Sequence, residues 1–83
     1  MDPHYIGRSP TFTIVGTPKC TYCTQAKSLL DQKSLPYTYI DLTETPWVLT
    51  MFKMIGLKTV PQVFSPSGDH LGGFGKLQEH LND

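Results

Sequence analysis

Between residues 11 and 42 the chain runs through a β-branched stretch, an amphipathic helix and a second β-rich stretch, and this order constrains the fold more than any other feature. "TFTIVG", residues 11–16, is β-branched and aromatic and runs into Gly16 and Pro18, the pattern of a buried strand followed by a turn. From Cys20 onward the apolar residues Cys23, Ala26, Leu29 and Leu30 return at helical spacing on one face, and the pattern ends before Pro36. "PYTYIDL" then reads as a second strand. A helix between two strands returns the chain to the edge it left, so the strands are expected to be parallel with a right-handed crossover.

The remaining residues extend this unit. Thr45 and Pro46 suit the N-cap and first residue of a second helix, whose apolar face we read as Val48, Met51, Phe52 and Ile55, with Gly56 as the C′ stop. Met51, Met54 and Phe52 are expected to pack along that helix and into the core, and Trp47 to be half-buried beside it. "VPQVFS", the turn "PSGD" and "HLGGF" form a β-hairpin, followed by a last helix carrying Leu77 and Leu81. The order is β-α-β-α-β-β-α. Residues 1–10 read as a short lead-in and residues 11–83 as one domain.

Composition removes several function classes. Seven Lys plus Arg balance seven Asp plus Glu without blocks, so no basic stripe exists to follow a phosphate backbone, and nucleic acid is not expected as a partner. No apolar run approaches the roughly 20 residues of a membrane helix, and "MDPHYIGRSP" lacks the charged and apolar regions of a secretory signal. The expectation is a cytoplasmic monomer with no membrane association.

Chemistry concentrates in "TPKCTYCTQAKSLL", which holds the only two cysteines, Cys20 and Cys23. A bridge between them closes a loop of about four residues, near the least stabilising length a disulfide can have. A structural zinc site needs four ligands, and there is neither a second CxxC nor the paired histidine spacing of a finger among His4, His70 and His80. No metal is expected. His70 and His80 are read as exposed polar residues. At the start of a helix, residues i and i+3 lie about 5 to 6 Å apart at Cα, inside the window for a disulfide. Cys20 stands at the N-terminal end, where unpaired N–H groups, the helix dipole and neighbouring Lys19 favour a thiolate. Cys23, one turn on and facing inward, is expected to be buried. The pattern implies a redox dithiol: Cys20 attacks a substrate disulfide and Cys23 resolves the mixed disulfide.

With these residues identified, the chain resembles a glutaredoxin of the short dithiol kind found in bacteria and their phages, over roughly residues 11–82. Its marks are "CTYC" after the first strand, the "TVP" of Thr59, Val60 and Pro61, and the "GGF" of Gly72, Gly73 and Phe74. The resemblance implies the α/β thioredoxin fold, a four-stranded mixed sheet with helices on both faces. It implies a cis bond before Pro61 and an extended peptide, glutathione, paired with the backbone of Val60. It also implies a carboxylate contact from Lys19, an aromatic wall from Tyr22, and binding of the γ-glutamyl carboxylate by the N–H groups of Phe74 and Gly75 at the last helix, next to Gly73. Lys58 would add positive potential. Glutathione is then an electron-donating co-substrate, with no organic cofactor bound, and protein disulfides or glutathione mixed disulfides are the substrates.

Two positions depart from the family pattern. Gly75 stands where the family usually supplies an acidic or hydroxyl side chain, and Thr21 stands where many dithiol members carry proline and so lack an N–H near the thiolate. The first keeps open a thioredoxin-like reductant recharged by a flavoprotein reductase, serving for example ribonucleotide reductase. The second keeps open a module holding a [2Fe–2S] cluster between two chains and two glutathiones.

Overall fold

A computed structural model describes residues 11–82. The lead-in assigned to residues 1–10 lies outside the described residues. The elements are β1 (Phe12–Gly16), α1 (Thr21–Gln32), β2 (Tyr37–Asp41), α2 (Pro46–Ile55), β3 (Gln62–Phe64), β4 (His70–Gly72) and α3 (Phe74–Leu81). Their order matches the one read from the sequence.

The sheet runs β2-β1-β3-β4, with β1 parallel to β2 and antiparallel to β3, and β3 antiparallel to β4. Alternation along β1 assigns its two faces. Phe12 and Ile14 join Ala26 and Leu30 of α1, Val63 of β3 and Leu77 of α3 in one core cluster. Val15 points the other way and joins Leu42, Val48 and Phe52. Helices α1 and α3 thus cover one face and α2 the other, the mixed-sheet arrangement of the thioredoxin fold.

Local chemistry accounts for the helix ends. The Cys20 Sγ caps α1 by accepting the Cys23 backbone N–H at 3.0 Å. The far end closes where Ser34 takes a positive φ and the Leu35 N–H reaches back to the Leu30 carbonyl at 2.9 Å, before Pro36. Gly56 ends α2 in the left-handed conformation, as expected. Thr45 occupies the N-cap position, but its hydroxyl donates to the Asp41 carbonyl at 2.7 Å instead of capping the helix. β4 is shorter than "HLGGF" suggests, because Gly72 adopts φ +118° and turns the chain so that Gly73 becomes the N-cap of α3.

The outward side of α2 corrects the sequence reading. Only Val48 and Phe52 are buried on this helix. Met51 is 47% exposed, Met54 80%, Ile55 66% and Trp47 66%, so none of them belongs to the core. The helix rests on the sheet along a single i, i+4 seam, and no further layer among the described residues covers it. A periodic apolar pattern gives the direction of the buried stripe; its width depends on how many neighbours flank the helix.

The one fully buried side chain of helix α3 is Leu77, which shares a cluster with Ile14, Ala26, Leu30 and Val63, while Phe74 and Leu81 pack against it partly buried. Leu77→Ala is expected to destabilise the protein by about 2–5 kcal/mol. The measurement is the urea unfolding midpoint, which should fall at unchanged m-value. A drop well under 1 kcal/mol would show that α3 is not locked to the core through this residue.

Candidate active site

The dithiol sits where β1 hands the chain to α1. Cys20 and Cys23 are joined in a disulfide with Cα atoms 5.1 Å apart. Cys20 is partly exposed at the helix N-cap, whereas Cys23 is 1% exposed and faces the sheet. The asymmetry expected from helix position is therefore present in the geometry.

Three elements converge behind Cys23. A Cβ built on Gly16 would lie 2.5 Å from both the Cys23 Sγ and the Tyr39 hydroxyl, so only glycine lets the end of β1 approach the first turn of α1 and the side chain from β2. The Tyr39 hydroxyl donates to the Thr17 carbonyl at 2.9 Å, which holds the strap from Thr17 to Cys20 against the sheet. The Lys27 ammonium sits 4.2 Å from the centre of the Tyr39 ring, a cation–π contact on the same residue.

A cleft of about 470 Å³ reaches the dithiol segment through Tyr22, the residue before Cys23, and is lined by Tyr22, Thr59, Val60, Pro61, Gly73, Phe74, Gly75 and Gln78, with neither cysteine in its lining. Seven of these are residues singled out in the sequence, drawn from three separate stretches of chain. The bond between Val60 and Pro61 is cis, as the resemblance implied. The Tyr22 ring, 59% exposed, faces that of Phe74 with centroids 6.1 Å apart, and together they form the aromatic side of the cleft. Gly73 packs against the Pro61 carbonyl, which would stand 3.7 Å from a Cβ there. Lys19 and Lys58 are exposed and do not line the cleft.

Two site residues escaped the sequence reading. Gln78 lies one helical turn after Phe74 and Gly75 and places a polar side chain in the cleft; its i+3 and i+4 spacing from those residues was the available signal. Gln62 is 6% exposed, and its amide donates to the Thr59 carbonyl at 3.0 Å and to the Thr59 hydroxyl at 3.1 Å, which ties it to the turn that lines the cleft. No pattern in the sequence distinguishes it from a strand residue facing water. Among the described residues, no group of three or more His, Cys, Asp or Glu side chains could hold a metal ion, and no helix is long and apolar enough to cross a membrane.

The phenol of Tyr39 titrates above its ordinary value of 10.0, first because burial disfavours the phenolate and second because the Asp41 carboxylate repels it. A folded-state value above the unfolded one gives stability that is complete below about pH 10 and is lost as pH rises through the folded value. Tyr37, raised by burial and by Asp31, acts in the same direction. Tyr39→Phe should therefore flatten, without abolishing, the loss of stability above pH 10, while lowering stability at neutral pH through the missing bond to Thr17. Denaturant midpoints collected at pH 7 to 11 for both proteins check this. Parallel curves would mean that Tyr39 titrates as if unfolded.

Comparison with known proteins agrees with this geometry. The family model described as Glutaredoxin matches residues 12–71. The glutaredoxin of Enterobacteria phage T4 is 39% identical over 75 residues, covering 76% of this chain and 85% of the phage protein. The solution structure of glutaredoxin from Brucella melitensis superposes with a TM-score of 0.70 at 33% identity, over 92% of this chain and 84% of that one. The crystal structure of a buckwheat glutaredoxin–glutathione complex superposes at 0.72 with 29% identity, over 87% of this chain and 68% of that one. With the dithiol at the head of α1, the cis bond before Pro61 and these matches across most of its length, the chain belongs to the glutaredoxin family.

Proposed function

We propose that the protein is a glutathione-dependent thiol–disulfide oxidoreductase that reduces protein disulfides or glutathione mixed disulfides. The observation that carries this reading is the partly exposed Cys20 at a helix N-terminus, bridged to a buried Cys23 beside a cleft large enough for an extended peptide. Family membership supports the dithiol chemistry, and the buckwheat relative, whose structure is a complex with glutathione, supports the choice of donor.

The cycle follows from the two environments. The Cys20 thiolate, favoured by the helix dipole and open N–H groups, attacks one sulfur of the substrate disulfide and releases the other as a thiolate. Cys23 then loses its proton and attacks the Cys20 sulfur, which forms the internal disulfide and frees the reduced substrate. One glutathione thiolate opens that bridge to a glutathionyl mixed disulfide on Cys20. A second removes it as glutathione disulfide and returns both cysteines to thiols. Two electrons pass from two glutathiones to one disulfide, and a compartment that keeps glutathione reduced is the setting this requires.

The bound peptide would pair with the Val60 backbone, rest on Tyr22, and direct its γ-glutamyl carboxylate at the Phe74 and Gly75 N–H groups. Lys19 and Lys58 lie outside the cleft lining and would act through longer-range potential.

A glutathione-coupled assay tests the roles. Cys20→Ser should lose turnover on every substrate, because the nucleophile is gone. Cys23→Ser should keep activity on glutathione mixed disulfides and lose it on protein disulfides, which need the internal resolving step. Equal loss in both variants on both substrates would remove the division of roles, and faster turnover with thioredoxin reductase than with glutathione and its reductase would remove the donor.

Position 75 offers an independent test of the binding mode. A Cβ built on Gly75 meets nothing within 4 Å, so a side chain fits there without strain. Gly75→Ser should lower KM for glutathione about threefold to tenfold by supplying one hydrogen bond to the glutamyl end, at unchanged kcat. An unaltered KM would place that end of the peptide away from α3.

A further inference from the structure

A chain of side-chain hydrogen bonds runs from the outer edge of the sheet to the cleft. Gln62, the residue after Pro61, points its amide nitrogen at the Thr59 carbonyl and hydroxyl, at 3.0 and 3.1 Å. Its amide oxygen lies 2.7 Å from the Nε2 of His70 on β4. The His70 ring in turn lies on Phe64, with centroids 5.0 Å apart and planes 29° apart.

Donor and acceptor types fix every role in this chain. The Thr59 carbonyl can only accept, so the Gln62 atom facing it is the NH₂ group and the atom facing His70 is the carbonyl oxygen. That oxygen can only accept in turn, so His70 must carry its proton on Nε2. The neutral Nε2–H tautomer and the imidazolium both meet this requirement. Gln62 is 6% exposed, and if it rotated its amide by half a turn its oxygen would face the Thr59 carbonyl and that bond would be lost. The Thr59 carbonyl therefore selects the amide orientation, and the His70 Nε2–H holds the amide there from its other end.

Thr59, Val60 and Pro61 line the cleft, and Val60 contributes no charged or hydroxyl group; what it offers a ligand is its backbone. Backbone donors and acceptors bind well only where their segment is already in position, since ordering a loop at the moment of binding subtracts from affinity. The neighbouring peptide unit is held by a buried amide whose partner sits in the hairpin, outside the cleft.

We propose that His70 and Gln62 are positioning residues for substrate binding: the His70 Nε2–H secures the Gln62 amide in the orientation that clamps Thr59 and thereby presents the Val60 backbone to the bound peptide. This rests on the glutathione reading for the identity of the peptide, while the clamp itself is a property of the free protein. Neither side chain touches the reacting sulfurs. Their effect belongs on binding.

The test combines His70→Phe, which keeps a flat ring on Phe64 and removes the donor, with Gln62→Met and the double variant. In the ligand-free oxidised proteins, the ¹⁵N heteronuclear NOE of the Thr59 and Val60 amides should fall in both single variants. With glutathione as reductant, each should raise KM about fivefold at unchanged kcat, the loss expected from one hydrogen bond. The double variant should be no worse than the more affected single, because both break the same chain. A stiff Thr59–Val60 segment in His70→Phe overturns the proposal whatever the turnover. So does a fall in kcat with KM unchanged, or additive effects in the double variant. Should the phenyl ring displace β4, His70→Ala gives the same reading without it. If the wild-type protein shows no glutathione-driven turnover, the donor assignment fails while the relaxation data still decide the clamp.

Discussion

The close contact between Gly16 and Cys23 is the constraint on which the site depends. Without a side chain at residue 16, the end of β1, the first turn of α1 and the Tyr39 hydroxyl of β2 occupy one small volume. That contact sets where the strand stops and where the helix can begin. It also fixes the strap through Thr17, whose carbonyl accepts from Tyr39. The position of Cys20, and the direction in which the dipole of α1 acts on it, follow from these contacts.

Sheet register supplies the other half of the site. β3 pairs antiparallel with β1, Gln62 opposite Val15, so the residue before Gln62 falls level with Gly16 at the same end of the sheet. Pro61 and Val60 thus arrive beside the dithiol although some forty residues of chain separate them from it. β4 pairs antiparallel with β3, Gly72 opposite Val63, and the turn at Gly72 and Gly73 delivers the start of α3 to the cleft. Parallel pairing on one side of β1 and antiparallel pairing on the other is therefore what gathers three sequence segments around one sulfur.

Much of this was legible from local pattern. Each element type followed from apolar periodicity and from Gly and Pro punctuation, and the cleft residues other than Gln78 were singled out at or next to the family marks "CTYC", "TVP" and "GGF". Where the reading failed, the missing information was non-local. The exposure of Met51, Met54, Ile55 and Trp47 reflects how few of the described residues flank α2, which no window of sequence records. Thr45 was a sound N-cap by type, yet the Asp41 carbonyl was near enough to take its hydroxyl. Gln62 gains its meaning only from Thr59 and His70, one in the turn before the cis bond and one across the hairpin.

The makeup of the cleft explains why such supporting residues matter here. Apart from the Tyr22 phenol, no ionisable side chain among the described residues lines it. Lys19 and Lys58 stand outside, where solvent and salt screen their attraction for an anionic peptide. Gly75 adds no side chain of its own. On the function proposed above, recognition falls on backbone N–H and C=O groups at Val60 and at the head of α3, together with the aromatic surface of Tyr22 and Phe74. A lysine can swing toward a ligand, whereas a peptide group moves only with its segment. On that reading, affinity depends less on the atoms in contact than on the groups behind them: Leu77 under α3, and the Gln62 amide under the turn that carries Val60.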